Sequence, residues 1–299
     1  MMKLPDILLA TIVAAIWGFN FVVIHVGINS FPPLMFSALR FILATFPLIF
    51  FCPRPDVSWK IILGIGMVLG VIKFGFLFIG MDAGLSAGLA SLVLQAQVFF
   101  TVILAAFIYK ERPTIGHILG IIIAFSGIGL VATTVDTNAT LVGLVLVLTA
   151  AFAWAVSNLL MKKAGAVNML HLMVWVCLVP PIPLIGLSLI FEGWQENMKA
   201  FAEIDVTGIG AVLYISYLAT ILGFAAWGRL IRKYGAGRVA PFSLLVPVFG
   251  MISSAVFLGE QFGPTRIIAV ALVIGGLVLT VLKPKVLGLT SPQNSDRER

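Results

Sequence analysis

Two cations stand where cations are costly. Arg40 lies in the apolar frame LMFSALRFILATF and Lys73 in GMVLGVIKFGFLF, while all twelve carboxylates fall in loops or at the ends of apolar segments. An intramembrane charge is a functional candidate by default. A deep cation without a deep anion suits one task, receiving an anionic group of a solute such as a carboxylate. Arg40 has a second reading, bonding to helix-end carbonyls or reaching its head to the outer interface. Lys73, along a glycine-containing segment, reads equally as substrate contact or as structure. Proton relays commonly use deep Asp, Glu or His. Here His25 lies within a span, near its outer end, where a lone histidine more often bonds the helix end.

Neutral polar residues supply a candidate lining: Asn20, Gln95, Gln97, Asn158, Tyr214, Tyr217 and Ser243. Ser91 and Gln95 are i,i+4 and share a helix face, whereas Gln97 points about 200° further round, so the two glutamines do not face one cavity. Trp17 and Trp154 are too deep for an interfacial belt and have a claim on a cavity wall. Trp175 and Trp227 read as packing or anchors. The substrate-contacting candidates are therefore Trp17, Asn20, Lys73, Gln95, Trp154, Asn158 and Tyr217. Taken singly, each neutral polar member also reads as glue between helices.

Enzyme signatures are missing: no Walker loop, no H-E-x-x-H, no C-x-x-C and no paired aspartates on a membrane face. Cys52 and Cys177 sit in apolar segments without ligand spacing, so neither a disulfide nor a metal framework is expected. We expect no catalytic residue, no metal and no cofactor.

The elements that must position these side chains follow from composition. The 299 residues are 61% hydrophobic and 10% charged, with a mean hydropathy of +1.13. Soluble domains carry about 45–50% apolar and about 25% charged residues, so a water-soluble enzyme, a disordered tail and a disulfide scaffold are excluded. A spanning helix needs about 20 mostly apolar residues. Cutting the chain at charges and Pro/Gly clusters gives ten: 7–27, 34–52, 60–80, 85–108, 115–134, 141–161, 170–191, 207–228, 237–258 and 265–282. The first is longer than the apolar core of a signal peptide and reads as retained. The longest loop is 192–206.

Charge sets the orientation. With the N-terminus inside, the outside loops hold only Lys199 and Arg266 of the 19 Lys and Arg, and Arg40 and Lys73 lie within spans. So lopsided a split places both termini in the cytoplasm. It also makes the net charge of +7 topological, which removes the nucleic-acid reading.

Residues 84–131 align with 233–280 at an offset of 149, bringing Gly88 onto Gly237, Glu111 onto Glu260 and Gly127 onto Gly276. Ala14-Ala15-Ile16-Trp17 likewise resembles Ala151-Phe152-Ala153-Trp154, with Asn20 and Asn158 following. Five spans per half is odd, so the second half must be upside down. At 1.5 Å per residue, Trp17 and Trp154 both reach near mid-membrane, from opposite faces. Inverted repeats meeting at the midplane mark alternating-access transporters. The expected fold is thus an all-α integral membrane protein of ten transmembrane helices in two inverted five-helix repeats. Residues 1–134 form the first, 135–284 the second, and 285–299 a polar cytoplasmic tail.

The stretches WGFNFVVIHVG (17–27), PPLMFSALRF (32–41), AGLASLVLQAQVFFT (87–101), KER (110–112) and VAPFSLLVPVFG (239–250) resemble the EamA family of drug/metabolite transporters. The resemblance covers residues 5–282. Within the family, SLVLQAQ and SLLVPV are most similar to the bacterial members that export O-acetylserine and cysteine. That resemblance implies an inner-membrane exporter of cysteine-pathway amino acids with a central cavity between the halves. The same scaffold carries other amino acids, purines and drugs, and fold does not fix cargo. Lys73 departs from the family pattern and would shift preference towards anions. The expected partners are a small-molecule substrate and the lipid bilayer, with no nucleic acid and no obligate protein partner. The competing classes are a membrane-embedded enzyme, which needs paired carboxylates or a metal cluster, and a channel, which needs rings of charge.

Overall fold

A computed structural model describes residues 2–110, 113–133, 141–165 and 167–281. Glu111, Arg112 and the polar tail 285–299 lie outside the described residues. Among those described, nine helical runs are long and apolar enough to cross a bilayer. They are α1 (Leu4–Gly27), α2 (Pro33–Phe50), α3 (Trp59–Asp82), α4 (Ala87–Ile108), α5 (Ile115–Thr133), α6 (Leu141–Ala164), α7 (Met169–Phe191), α8 (Val206–Tyr234) and α9 (Ala240–Leu258). A tenth, shorter apolar helix, α10 (Pro264–Val281), completes the bundle.

The helices pack as two inverted halves. Across them, α1 packs on α8 and α9, while α6 packs on α3 and α4; α2 meets α7, α4 meets α9 and α5 meets α10. Exchanging each helix with the one five places on maps this pattern onto itself, as a pseudo-two-fold axis requires. The glycines at these seams leave no room for a side chain. A Cβ on Gly66 would meet Val179, one on Gly70 would run into Pro180, and one on Gly120 would run into Thr280 and the carbonyl of Gly276.

Polar contacts gather at the two faces. At the face of the N-terminus, Asp6 accepts from Lys233 Nζ at 2.8 Å and from the Tyr234 hydroxyl at 2.6 Å, tying the start of α1 to the end of α8. The far face is where α2, α4 and α8 begin, and carboxylates cap those helix starts. Glu192 accepts from the backbone N–H of Leu34 at 2.6 Å and of Met35 at 3.2 Å. Glu260 accepts from Gly88 N–H at 3.2 Å, and Asp205 from Gly208 N–H at 2.7 Å. Free N–H groups and the positive dipole end favour an anion there. The Gly208 bond also holds the Asp205 carboxyl below its usual range.

Two boundaries differ from expectation. The eighth span runs on to Tyr234 because Arg229, Arg232 and Lys233 close its last turns, where cations complement the helix dipole. The segment expected as the longest loop contains a short helix, Trp194–Ala202. Its buried Asn197 donates to Ser188 Oγ at 2.9 Å and to the carbonyl of Gly193 at 2.8 Å.

Candidate functional site

The helix geometry departs from regular α where the halves meet. In α3, Gly66–Lys73 is π-helical; in α8, Tyr214–Leu222 is π-helical. Shifted by 149 residues, the first segment falls on the second almost residue for residue. The wide turn in α8 is fastened by Thr220, whose hydroxyl donates to the carbonyl of Ile215 at 2.7 Å, five residues back. π turns occur often at functional sites, because each rotates the side chains that follow it. Here the π segment of α3 ends on Lys73.

Helices α4 and α9 break in register too. Helix α4 is interrupted between Val93 and Ala96. In α9, 3₁₀ winding over Ala240–Leu244 gives way to α at Leu245, which stands 149 residues after Ala96. Pro247 has no N–H to offer the carbonyl four residues before it, that of Ser243. Gln95 Nε2 donates to that carbonyl at 3.4 Å.

At the centre Lys73 and Arg40 both lie against the ring of Phe74. Lys73 is 4% exposed and Arg40 3%. Lys73 Nζ lies 3.2 Å from the centroid of the Phe74 ring and 4.7 Å from that of Trp154. Arg40 Cζ sits 3.9 Å from the Phe74 centroid, and its Nε donates to Thr220 Oγ1 at 3.0 Å. Arg40 Nη1 is buried without a partner. Thus α2 and α3 of one half supply the charges, and α6 and α8 of the other supply an aromatic face and a hydroxyl.

Magnitudes show that this arrangement is incomplete. Desolvating one ion costs several kcal/mol even after relaxation, whereas a desolvated cation–π contact returns about 2 kcal/mol. Aromatic faces and one hydroxyl therefore do not repay the burial of two cations side by side. An anion placed between them supplies what is missing.

The other candidates divide. Trp17 donates from Nε1 to the carbonyl of Ala219 at 2.8 Å, next to Thr220, and so fixes α1 to the π segment of α8. Gly223 makes room for that indole. Asn20, one turn on, is 7% exposed with Oδ1 unpartnered. Asn158 donates to Gln97 Oε1 at 2.8 Å and to Thr101 Oγ1 at 3.2 Å. Together with Thr101, His117 and Lys162 it lines a cavity of about 220 Å³ towards the face of the N-terminus. Gln95 and Gln97 thus turn to different helices. Tyr217 stands apart, its hydroxyl donating to the carbonyl of Phe46 at 3.4 Å. A second, apolar cavity of about 370 Å³ opens towards the far face between α1, α8 and α9, lined by Phe19, Val26, Tyr214 and Phe257 among others.

Two expectations change. Arg40 neither snorkels nor bonds a helix-end carbonyl; it is buried against Phe74 and Thr220. His25, read as a helix-end hydrogen bonder, has its Nδ1 buried without a partner. At the centre both Lys73 and Arg40 are buried. Phe74 and Thr220 were not among the candidates. Phe74 had one signal, its place directly after a deep lysine that needs an aromatic face; Thr220 had none, because its role depends on the π turn.

Inverted halves, mirrored helix irregularities and a buried polar centre define a membrane protein of the two-repeat carrier class. The EamA-like transporter family matches residues 4–133 and 141–282. The chain belongs to that family. It is 42% identical over 287 residues to a Salmonella typhimurium protein named "Probable amino-acid metabolite efflux pump", covering 94% of this chain and 96% of that one. An Escherichia coli K12 protein of the same name is 41% identical over the same shares. A Streptantibioticus cattleyicolor protein named "Probable terminal-alkyne amino-acid exporter" is 25% identical, covering 93% of this chain and 94% of that one. A solved crystal structure superposes with a TM-score of 0.61 over 93% of this chain and 98% of its own at 17% identity, which shows the fold.

Proposed function

We propose that this protein exports small amino-acid metabolites across the bacterial inner membrane, with both termini in the cytoplasm. The first and second repeats, residues 1–134 and 135–284, rock about the centre to expose it to each side in turn. The substrate carboxylate docks between Arg40 and Lys73, with Trp154 and Thr220 completing the seat from the other half. O-acetylserine and cysteine are the first cargo to test.

One observation carries this reading: two buried cations from one repeat face the other repeat with no carboxylate partner among the described residues. The names of the relatives at 41–42% identity point the same way. Efflux from proteoliposomes loaded with O-acetylserine or cysteine tests it. We expect efflux well above that of empty-membrane controls and slowed by Lys73→Gln. Efflux no faster than the controls, for these and for a wider panel of amino-acid metabolites, overturns the reading.

A further inference from the structure

We infer that the central site prefers metabolites bearing a carboxylate but no free ammonium, N-acylated amino acids as a class, over zwitterionic amino acids. The inference rests on the export function proposed above and adds a charge requirement to it.

A zwitterion brings two charges to the centre, and only one of them is matched. Its carboxylate finds Arg40 and Lys73, where Arg40 Nη1 is a buried donor without a partner. A carboxylate taking that donor forms a charge-assisted bond, the strong kind. Its α-ammonium finds no counter-charge. Of the described carboxylates, Asp6 is engaged with Lys233 at one face, Glu192, Asp205 and Glu260 are engaged with helix starts at the other, and Asp56, Asp82, Glu196 and Glu203 are exposed. Among the described residues, neither Arg40 nor Lys73 forms an ion pair with a carboxylate. The ammonium would enter as a third positive charge beside two others, in a place that screens them poorly.

The aromatic faces do not rescue it. Phe74 already carries both Lys73 and Arg40, and Trp154 carries Lys73. Among the buried polar atoms without a partner is Asn20 Oδ1, on α1, which packs on the same π segment that holds Thr220. A neutral amide oxygen suits one N–H, as an acylated nitrogen offers; it cannot neutralise an ammonium. Acylation removes the third charge, keeps the carboxylate and leaves one N–H to give.

O-acetylserine and N-acetylserine test this directly. They are isomers with the same carboxylate and acetyl group, and they differ in the atom that bears the acetyl: the nitrogen is charged in one, and neutral beside a free hydroxyl in the other. Efflux and thermal stabilisation of the wild-type protein are measured with each, in mildly acidic buffer where acyl migration from oxygen to nitrogen is slow. We expect N-acetylserine to be moved with a kcat/KM about tenfold or more above that of its isomer, and its efflux to carry net negative charge, read as dependence on an imposed membrane potential. Lys73→Gln narrows the ratio towards one. Equal handling, or preference for O-acetylserine, overturns this inference and leaves the exporter reading intact. Movement of neither isomer, with no stabilisation by either, overturns both.

Discussion

The π segments of α3 and α8 are the same device used in two ways. They occupy matching places in the repeat, and each is gripped by the opposite half: Gly66 and Gly70 by Val179 and Pro180, and Gly223, directly after the second segment, by Trp17. Their last residues differ. The segment in α3 ends on Lys73; the one in α8 ends on Leu222 and carries Thr220 and Ala219, which hold Arg40 and Trp17. Backbone geometry is kept symmetric, as a carrier with two equivalent end states needs. Chemistry is asymmetric, and on the proposed function the reason is that a small solute meets both halves at once and needs its charge answered once. Movement and recognition are thus written on the same two helices by different atoms.

Erasing the asymmetry is the strongest way to break this comparison. Lys73→Leu gives α3 the residue α8 has at the matching place. We expect substrate kcat/KM to fall by about a hundredfold, the scale of losing one partner of a buried charge contact. Stability should hold or rise by about 1–4 kcal/mol, because an apolar residue no longer carries the burial cost of a charge. Transport assays and detergent-melting curves on one preparation decide it; retained transport with lost stability would make Lys73 a structural residue. Thr220→Val comes next. It leaves the shape and removes the Arg40 acceptor, and a hydrogen bond to a charged group is worth about 1.5–3 kcal/mol. We expect about a tenfold rise in KM, with an unchanged KM counting against the seat.

Symmetry of the scaffold can be probed at lower cost. Gly70→Ala places a methyl against Pro180 and should destabilise by about 1–3 kcal/mol, as overpacking does, lowering the melting temperature more than it lowers carboxylate affinity. The smallest effect is expected at the rim. Gly208 N–H lowers the Asp205 pKa in the folded protein. The bond therefore stabilises the fold above the ordinary carboxylate range, and that contribution is lost as pH falls through the lowered value. Asp205→Asn should flatten the acid limb of the melting temperature against pH, and an unaltered limb would show the cap to be idle.

Much of the scaffold was readable in the amino-acid order. Runs of apolar residues set the spans, loop cations set the expected orientation, and the 149-residue offset exposed the repeat. Gly66 and Gly70, like Gly116 and Gly120, stand four residues apart, the small-residue spacing that lets helices approach closely. Lys73 and Trp154 stood out because a deep cation and a deep tryptophan are both unusual in a bilayer. The partners of Arg40 were hidden for a physical reason. Helical periodicity assumes 3.6 residues per turn, and the π turns in α3 and α8 shift the faces on which Lys73 and Thr220 emerge. Asn158 and Tyr217 were misplaced relative to Lys73 for a different reason: spacing fixes a helix face but not its neighbour, and the amide of Asn158 is spent on Gln97 and Thr101.

Alternating exposure of the Arg40–Lys73 centre is the claim on which the rest depends, and accessibility measures it most directly. In a protein carrying Cys52→Ser and Cys177→Ser, Asn20→Cys supplies one thiol, one turn from Trp17, whose indole bonds the residue before Thr220. A membrane-impermeant maleimide is applied to right-side-out and to inverted vesicles, with and without N-acetylserine. The account predicts labelling from both faces and protection by the solute at each. Labelling from one face only, or labelling indifferent to solute, would contradict it.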